Sequence, residues 1–205
     1  MTTFKKEKVN EWGQENTSFT QSNSGGKIKL TNQPTFSSHR SGWNYAIHSI
    51  SSLHNEDGVE FYGFLENEFS WFKSGNIQNG TIPIKNDWVG FFHNPQSPPW
   101  WFSPKTCPLT MLQTPEFLDS LKTCRGLFAL SEYHAAFLRE MTGKQVEVLL
   151  HPTEIPEVQF DFDLFYENEE KRLINIGYWL RKVNSIYSLP ITPDSYIKTR
   201  LLPYK

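Results

Sequence analysis

His93 and Asn94 stand where an apolar run ends, in "WVGFFHNPQSPPWW" over residues 88–101. A histidine that closes a buried strand can fix one ring nitrogen on a backbone carbonyl and present the other to a ligand. Asn94 beside it adds an amide donor and an acceptor. The same histidine could instead cap its strand on a loop carbonyl and meet no ligand. Two further polar groups close apolar runs in the same way: Ser131, with Glu132 behind it, after "RGLFAL", and His151 after "VEVLL".

Other residues carry possible chemistry. "SSHRSGW" at 37–43 precedes a helix, where exposed backbone N–H groups attract anions. There Arg40 would add a forked charge and Gly42 close backbone approach. An ordinary Ser-capped helix start with an exposed arginine is the simpler reading. Arg181 and Lys182 in "IGYWLRK" could hold a diphosphate or lie on a solvated turn. Asp161 and Asp163 in "DFD" have the form of a metal-chelating pair, but they do not end an apolar strand, and solvent-facing carboxylates are the simpler reading. Trp100 and Trp101 could stack on a sugar ring or be buried against a helix. Cys107 and Cys124, with sixteen residues between them, match no zinc spacing and read as free thiols. No metal ligand set is expected, and the phosphate-loop, GxGxxG, zinc-protease and nucleophile-elbow motifs are absent.

Composition narrows the class. The 205 residues are 38% hydrophobic, 20% charged and 15% aromatic, which fits a globular chain with a bulky core or an aromatic-lined site. A formal charge of −2 supplies no basic face, so no nucleic-acid partner is expected. No run approaches the roughly 20 apolar residues of a membrane span. The N-terminus has no apolar stretch behind its basic residues, so the expectation is a cytoplasmic protein.

These residues need elements to position them. The pattern predicts a strand at 27–30, then a helix over 44–58 with Tyr45, Ile47, Ile50 and Leu53 on one face and Gly58 as its stop. Strands follow at 59–65 and 87–92, separated by a Gly/Asn loop or hairpin at 66–86. A helix opens at Thr114 with Pro115 in its first position. A strand at 125–131 leads to a helix with Ser131 as N-cap and Gly143 as stop. Pro152 ends a further strand, and an acidic-aromatic linker precedes one more in "KRLINIGYWLRK". Alternation of this kind specifies an α/β, Rossmann-like, mostly parallel sheet with flanking helices. Residues 1–37 read as a polar segment, 38–158 as the Rossmann-like domain, and 159–205 as a linker with the first strand of a second domain. In such sheets, ligands bind outside the carboxyl ends of the strands, at a reversal of strand order.

Taken together, "VGFFHNP", "CRGLFALSEYHAAFLREMTGKQVEVLLHPTE" and "INIGYWLRK" resemble the GT-B glycosyltransferases, in the group related to family 4 that occurs in some large DNA viruses and bacteria. The likeness covers about residues 38–190 and lies in the order and spacing of the strand ends. It implies two Rossmann-like domains, the first taking a glycan or other hydroxyl acceptor and the second a nucleotide-sugar donor. It implies transfer of the sugar with no cofactor beyond that donor, and no required metal. His93 would be the catalytic histidine near the transferred sugar. Arg40, Ser41, Gly42, Trp43, Asn94, Ser131 and Glu132 would contact donor or acceptor, and Arg181 and Lys182 the donor diphosphate. The family's acidic donor motif has no counterpart in these residues, so a second domain or partner chain is expected to complete the donor half. Two alternatives are a non-catalytic glycan- or sugar-binding module and a metal-dependent GT-A transferase using Asp161 and Asp163.

Overall fold

The computed structural model describes residues 27–30, 42–101, 104–153, 155, 157–170, 172–176, 181–182, 184–190 and 197–201. The chain divides into two compact units, residues 1–97 with 104–154, and residues 98–103 with 155–205. The Pro-Trp segment at 98–103 goes with the second unit.

The first unit is an α/β layer structure of the Rossmann-like kind. Its five strands are β1 (Ile28–Lys29), β2 (Val59–Tyr62), β3 (Trp88–Phe92), β4 (Cys124–Ala129) and β5 (Val146–Val148). All neighbours pair in parallel, in the order β1-β2-β3-β4-β5. Strand order follows chain order, so among the described strands there is no reversal to mark a crevice. The expectation of a ligand site at such a reversal therefore has no footing, and the shared carboxyl edge must be argued from its side chains.

β3 is apolar throughout because both of its faces are covered. Trp88 and Phe92 point into one core with Leu65, Phe69, Met111, Phe117, Leu127 and Leu138, while Phe91 joins Leu30, Trp43, Ile47, Phe61 and Phe64 in the other. Each large side chain taken fully out of water contributes about 1.5–3 kcal/mol. Trp88 reaches this burial without leaving its indole N–H orphaned, since that group donates to the Ser120 carbonyl at 2.8 Å.

Helix α1 (Trp43–Ser49) is shorter than its pattern suggests. Trp43 and Ile47 are its buried residues, whereas Tyr45 is 75% exposed. The run Ser49-Ile50-Ser51-Ser52 ends it: serine hydroxyls compete for backbone groups, and Ser49 Oγ already donates to the Tyr45 carbonyl. A 3-10 turn over Ser51–Leu53 then leads toward β2.

Residues 66–86, expected as a loop or hairpin, are largely helical. A π-helical turn covers Asn67–Trp71, and α2 covers Lys73–Gln78. Burial of Leu65 and Phe69 in the core overrides the Gly/Asn turn signals, and Asn76 ties the two pieces by donating to the Glu68 carbonyl and carboxylate. After β3 come two short helices, α3 (Pro108–Met111) and α4 (Pro115–Ser120), each opened by proline; α4 starts where Thr114 and Pro115 predict. Helix α5 (Glu132–Thr142) matches its sequence signals at both ends, with Ser131 as N-cap and Gly143 in the left-handed conformation as C-cap.

In the second unit, α6 (Phe162–Glu167) follows Asp161. Strand β6 (Arg172–Ile176) pairs in parallel with β7 (Ile197–Leu201), which the sequence pattern did not reveal. Among the described residues, no helix is long and apolar enough to cross a membrane.

Candidate functional site at the carboxyl edge of β3

The register of the sheet fixes which strand-end residues share an edge. Phe92 pairs with Ala129, and Ala129 with Val148, so His93, Ser131 and His151 all follow strand ends on the carboxyl side. The edge is shared as expected, but its members are used differently.

At the end of β3, His93 Nε2 lies 2.7 Å from the carbonyl of Gly63. A carbonyl only accepts, so Nε2 is the donor, and a neutral ring carries its proton there. The imidazole packs edge-on to Trp43 with ring centroids 4.8 Å apart, and tilted against Phe64 at 4.5 Å. Its backbone N–H donates to Glu66 Oε1 at 2.8 Å, and the Asn94 N–H donates to the same oxygen at 2.6 Å. Glu66 is fully buried. Nothing in its sequence context marks Glu66 as a site residue, except that a charged residue stands inside the apolar run "FYGFLENEF".

Asn94 is also buried, and its side-chain amide donates to the Thr106 carbonyl at 2.8 Å. Its Oδ1 accepts no hydrogen bond from the protein. Gln96 carries the pattern one step along the loop: Nε2 donates to the Tyr133 hydroxyl at 3.1 Å, while Oε1 has no protein donor.

Gly42, just before α1, reaches this edge as well. Gly42 has φ +85°, and a Cβ there would stand 2.6 Å from the carbonyl carbon and oxygen of Pro152 and 2.9 Å from the Thr153 nitrogen. The space left by the missing side chain is thus filled by the loop after β5. Gly42 is itself the N-cap of a seven-residue helix and offers no side-chain cap. Trp43, next in the chain, is the residue that meets His93. Arg40 and Ser41 lie outside the described residues.

At the end of β4, Ser131 Oγ accepts the His134 N–H at 3.3 Å, as a helix cap. Glu132 pairs with Arg139 on the exposed surface, and that guanidinium holds its carboxyl below the usual range. His134, one turn into α5, is 7% exposed. Burial lowers its pKa to about 4, and Nε2 has no hydrogen-bond partner. The thiols are structural: Cys107 and Cys124 are free and buried, and burial pushes Cys124 up to about 11.

The remaining candidates fall in the second unit. Arg181 and Lys182 are exposed, and the Lys182 carbonyl accepts the Ser185 N–H at the start of a 3-10 turn. Asp161 is the N-cap of α6, with Oδ1 accepting from the Leu164 N–H at 2.9 Å. Among the described residues, no group of three or more His, Cys, Asp and Glu side chains is placed to hold a metal. Trp100 is 87% exposed and meets Trp101 edge to face at 5.6 Å.

Set against protein-family models, curated proteins and solved structures, the chain matches none.

Proposed function

We propose that the chain is the acceptor-side portion of a GT-B type glycosyltransferase, moving a sugar from a nucleotide-sugar to a hydroxyl acceptor. The observation that carries this reading is the state of His93. Its ring closes a central parallel strand, is held on a backbone carbonyl through Nε2, and is flanked by Trp43 and Phe64. A histidine fixed in one tautomer and one pose suits contact with a bound sugar better than a freely rotating one. Asn94 Oδ1 supports the same reading, because a buried acceptor without a protein donor suits a ligand hydroxyl. The parallel pair β6 and β7 is compatible with the opening of a second α/β domain.

In the reaction, the bond between the sugar's anomeric carbon and the diphosphate breaks. The acceptor oxygen forms the new glycosidic bond, and its proton passes to the departing diphosphate oxygen, which leaves with the electron pair of the broken bond. His93 and Asn94 contact the sugar and the acceptor hydroxyls. A second domain or partner chain completes the donor site and offsets the charge of the leaving diphosphate.

The chain alone is expected to bind nucleotide-sugars no better than millimolar, about −4 kcal/mol. Supplied with its donor half, it is expected to release nucleoside diphosphate only when both a nucleotide-sugar and a glycoside acceptor are present. Glycoside binding without release, across uridine-, guanosine- and thymidine-linked donors, would replace the enzyme reading with a glycan-binding module. Activity abolished by a chelator and restored by manganese would favour the metal-dependent alternative through Asp161 and Asp163.

A further inference from the structure

We propose that Glu66 is a positioning residue, whose buried carboxylate fixes the His93–Asn94 peptide and, through it, the imidazole at the carboxyl edge of β3. The segment Gly63–Glu66 leaves the end of β2 and holds the end of β3 at several points. Gly63 accepts from the His93 ring, Phe64 packs against that ring, and Glu66 Oε1 accepts two successive backbone N–H groups. One short stretch thus holds both the backbone and the side chain of the histidine.

Two consecutive amides converging on one oxygen form a concavity suited to an anion. Here the protein's own carboxylate fills it. Taking a carboxylate out of water costs several kcal/mol, which is offset only when charge-assisted hydrogen bonds replace the hydration. The two backbone contacts at 2.8 and 2.6 Å supply that replacement on Oε1. A strand end leaves N–H groups beyond its last ladder bond, and solvent or a hydroxyl would satisfy them without fixing their direction. A single fixed oxygen sets both peptide planes, and hence the direction in which the His93 Cα–Cβ bond leaves the chain. Asn94 is oriented by the same contact: with its N–H on Glu66 and its amide nitrogen on Thr106, Oδ1 is left as a buried acceptor without a protein donor.

The inference rests on His93 serving the sugar, but the ring's pose can be read without turnover. In the full chain at pH 8, where a histidine of ordinary basicity is neutral, two-bond 1H–15N spectra are expected to show His93 protonated on Nε2 alone. Glu66→Gln keeps an acceptor oxygen and is expected to retain that signature. Glu66→Leu removes it and is expected to give a broadened or averaged pair of ring nitrogens, while remaining folded. An unchanged single-tautomer spectrum in folded Glu66→Leu overturns the proposal. Should that variant not fold, amide exchange in the natural protein decides. The His93 and Asn94 amides are expected to exchange at least about 100-fold slower than exposed loop amides, and exchange at loop rates overturns the proposal. A retained ring signature with no sugar transfer in any combination would count against the glycosyltransferase reading and leave the positioning role standing.

Discussion

Two neighbouring strand ends use the same kinds of residue for opposite purposes. At β3, the polar groups turn inward and hold one another: Glu66 takes the His93 and Asn94 amides, and Gly63 takes the ring. At β4, they serve the helix that follows, with Ser131 as its cap and Glu132 paired to Arg139 at the surface. Both strands end in a polar residue after an apolar run, yet only β3 assembles a buried polar cluster against aromatic rings. The difference comes from what lies alongside. The β3 end receives the short stretch after β2 that carries Gly63 and Glu66, whereas the β4 end turns at once into α5.

The largest effect that could break this comparison is expected at Gly42. An alanine there takes a left-handed backbone and drives its methyl group into the Pro152–Thr153 backbone. The two costs together are on the order of 3 kcal/mol. Urea denaturation of Gly42→Ala is expected to show that loss, with disturbed His93 and Trp43 resonances. A stability within error of the natural protein would mean that Gly42 does not pack on the loop after β5.

Next in size is the pH response of the β4 side. Burial holds the folded pKa of His134 at about 4, against 6.5 ordinarily, so the native state binds fewer protons than the unfolded chain. Its contribution is complete above about pH 6.5 and is lost as pH falls toward 4, with a total on the order of 3 kcal/mol. His134→Phe is expected to flatten that part of the stability profile and to leave neutral stability nearly unchanged. An equally steep profile in the variant would assign the acid loss to other groups.

Smaller again is Ser131→Ala, expected to cost about 1 kcal/mol through the lost cap of α5. Sugar transfer per folded molecule should hold, because Ser131 is occupied by the helix. Loss of transfer at unchanged melting temperature would move the site toward β4. The smallest change is expected from Glu132→Gln, which breaks an exposed pair with Arg139 and should leave both melting and transfer within error.

Much of this was legible in the sequence, for identifiable reasons. The strands at 88–92 and 124–129 announce themselves as apolar runs because both faces are covered, and α5 carries a serine cap and a glycine stop. Spacing from those elements was enough to place His93, Ser131 and His151 on one edge. The helical stretch after β2 was not legible, since Gly75, Asn76 and Gly80 are turn formers and only tertiary burial of Leu65 and Phe69 makes the stretch helical. Glu66 was hidden for the same reason: its partners, His93 and Asn94, lie a whole crossover away. The buried face of α1 was misread because Tyr45 fits the helical period as well as Trp43, and only contact with Phe91 and His93 selects the tryptophan.

The central claim is that His93 serves a ligand rather than merely closing its strand. Replacing it with glutamine separates the two roles, because a glutamine amide can still donate to the Gly63 carbonyl but has no imidazole. Turnover and melting temperature should be measured on one preparation of His93→Gln, with the donor half supplied. The account predicts a melting temperature close to that of the natural protein, with sugar transfer reduced at least tenfold, about 1.4 kcal/mol of transition-state stabilisation. Unchanged transfer per folded molecule with a lowered melting temperature would contradict it and make His93 a strand cap.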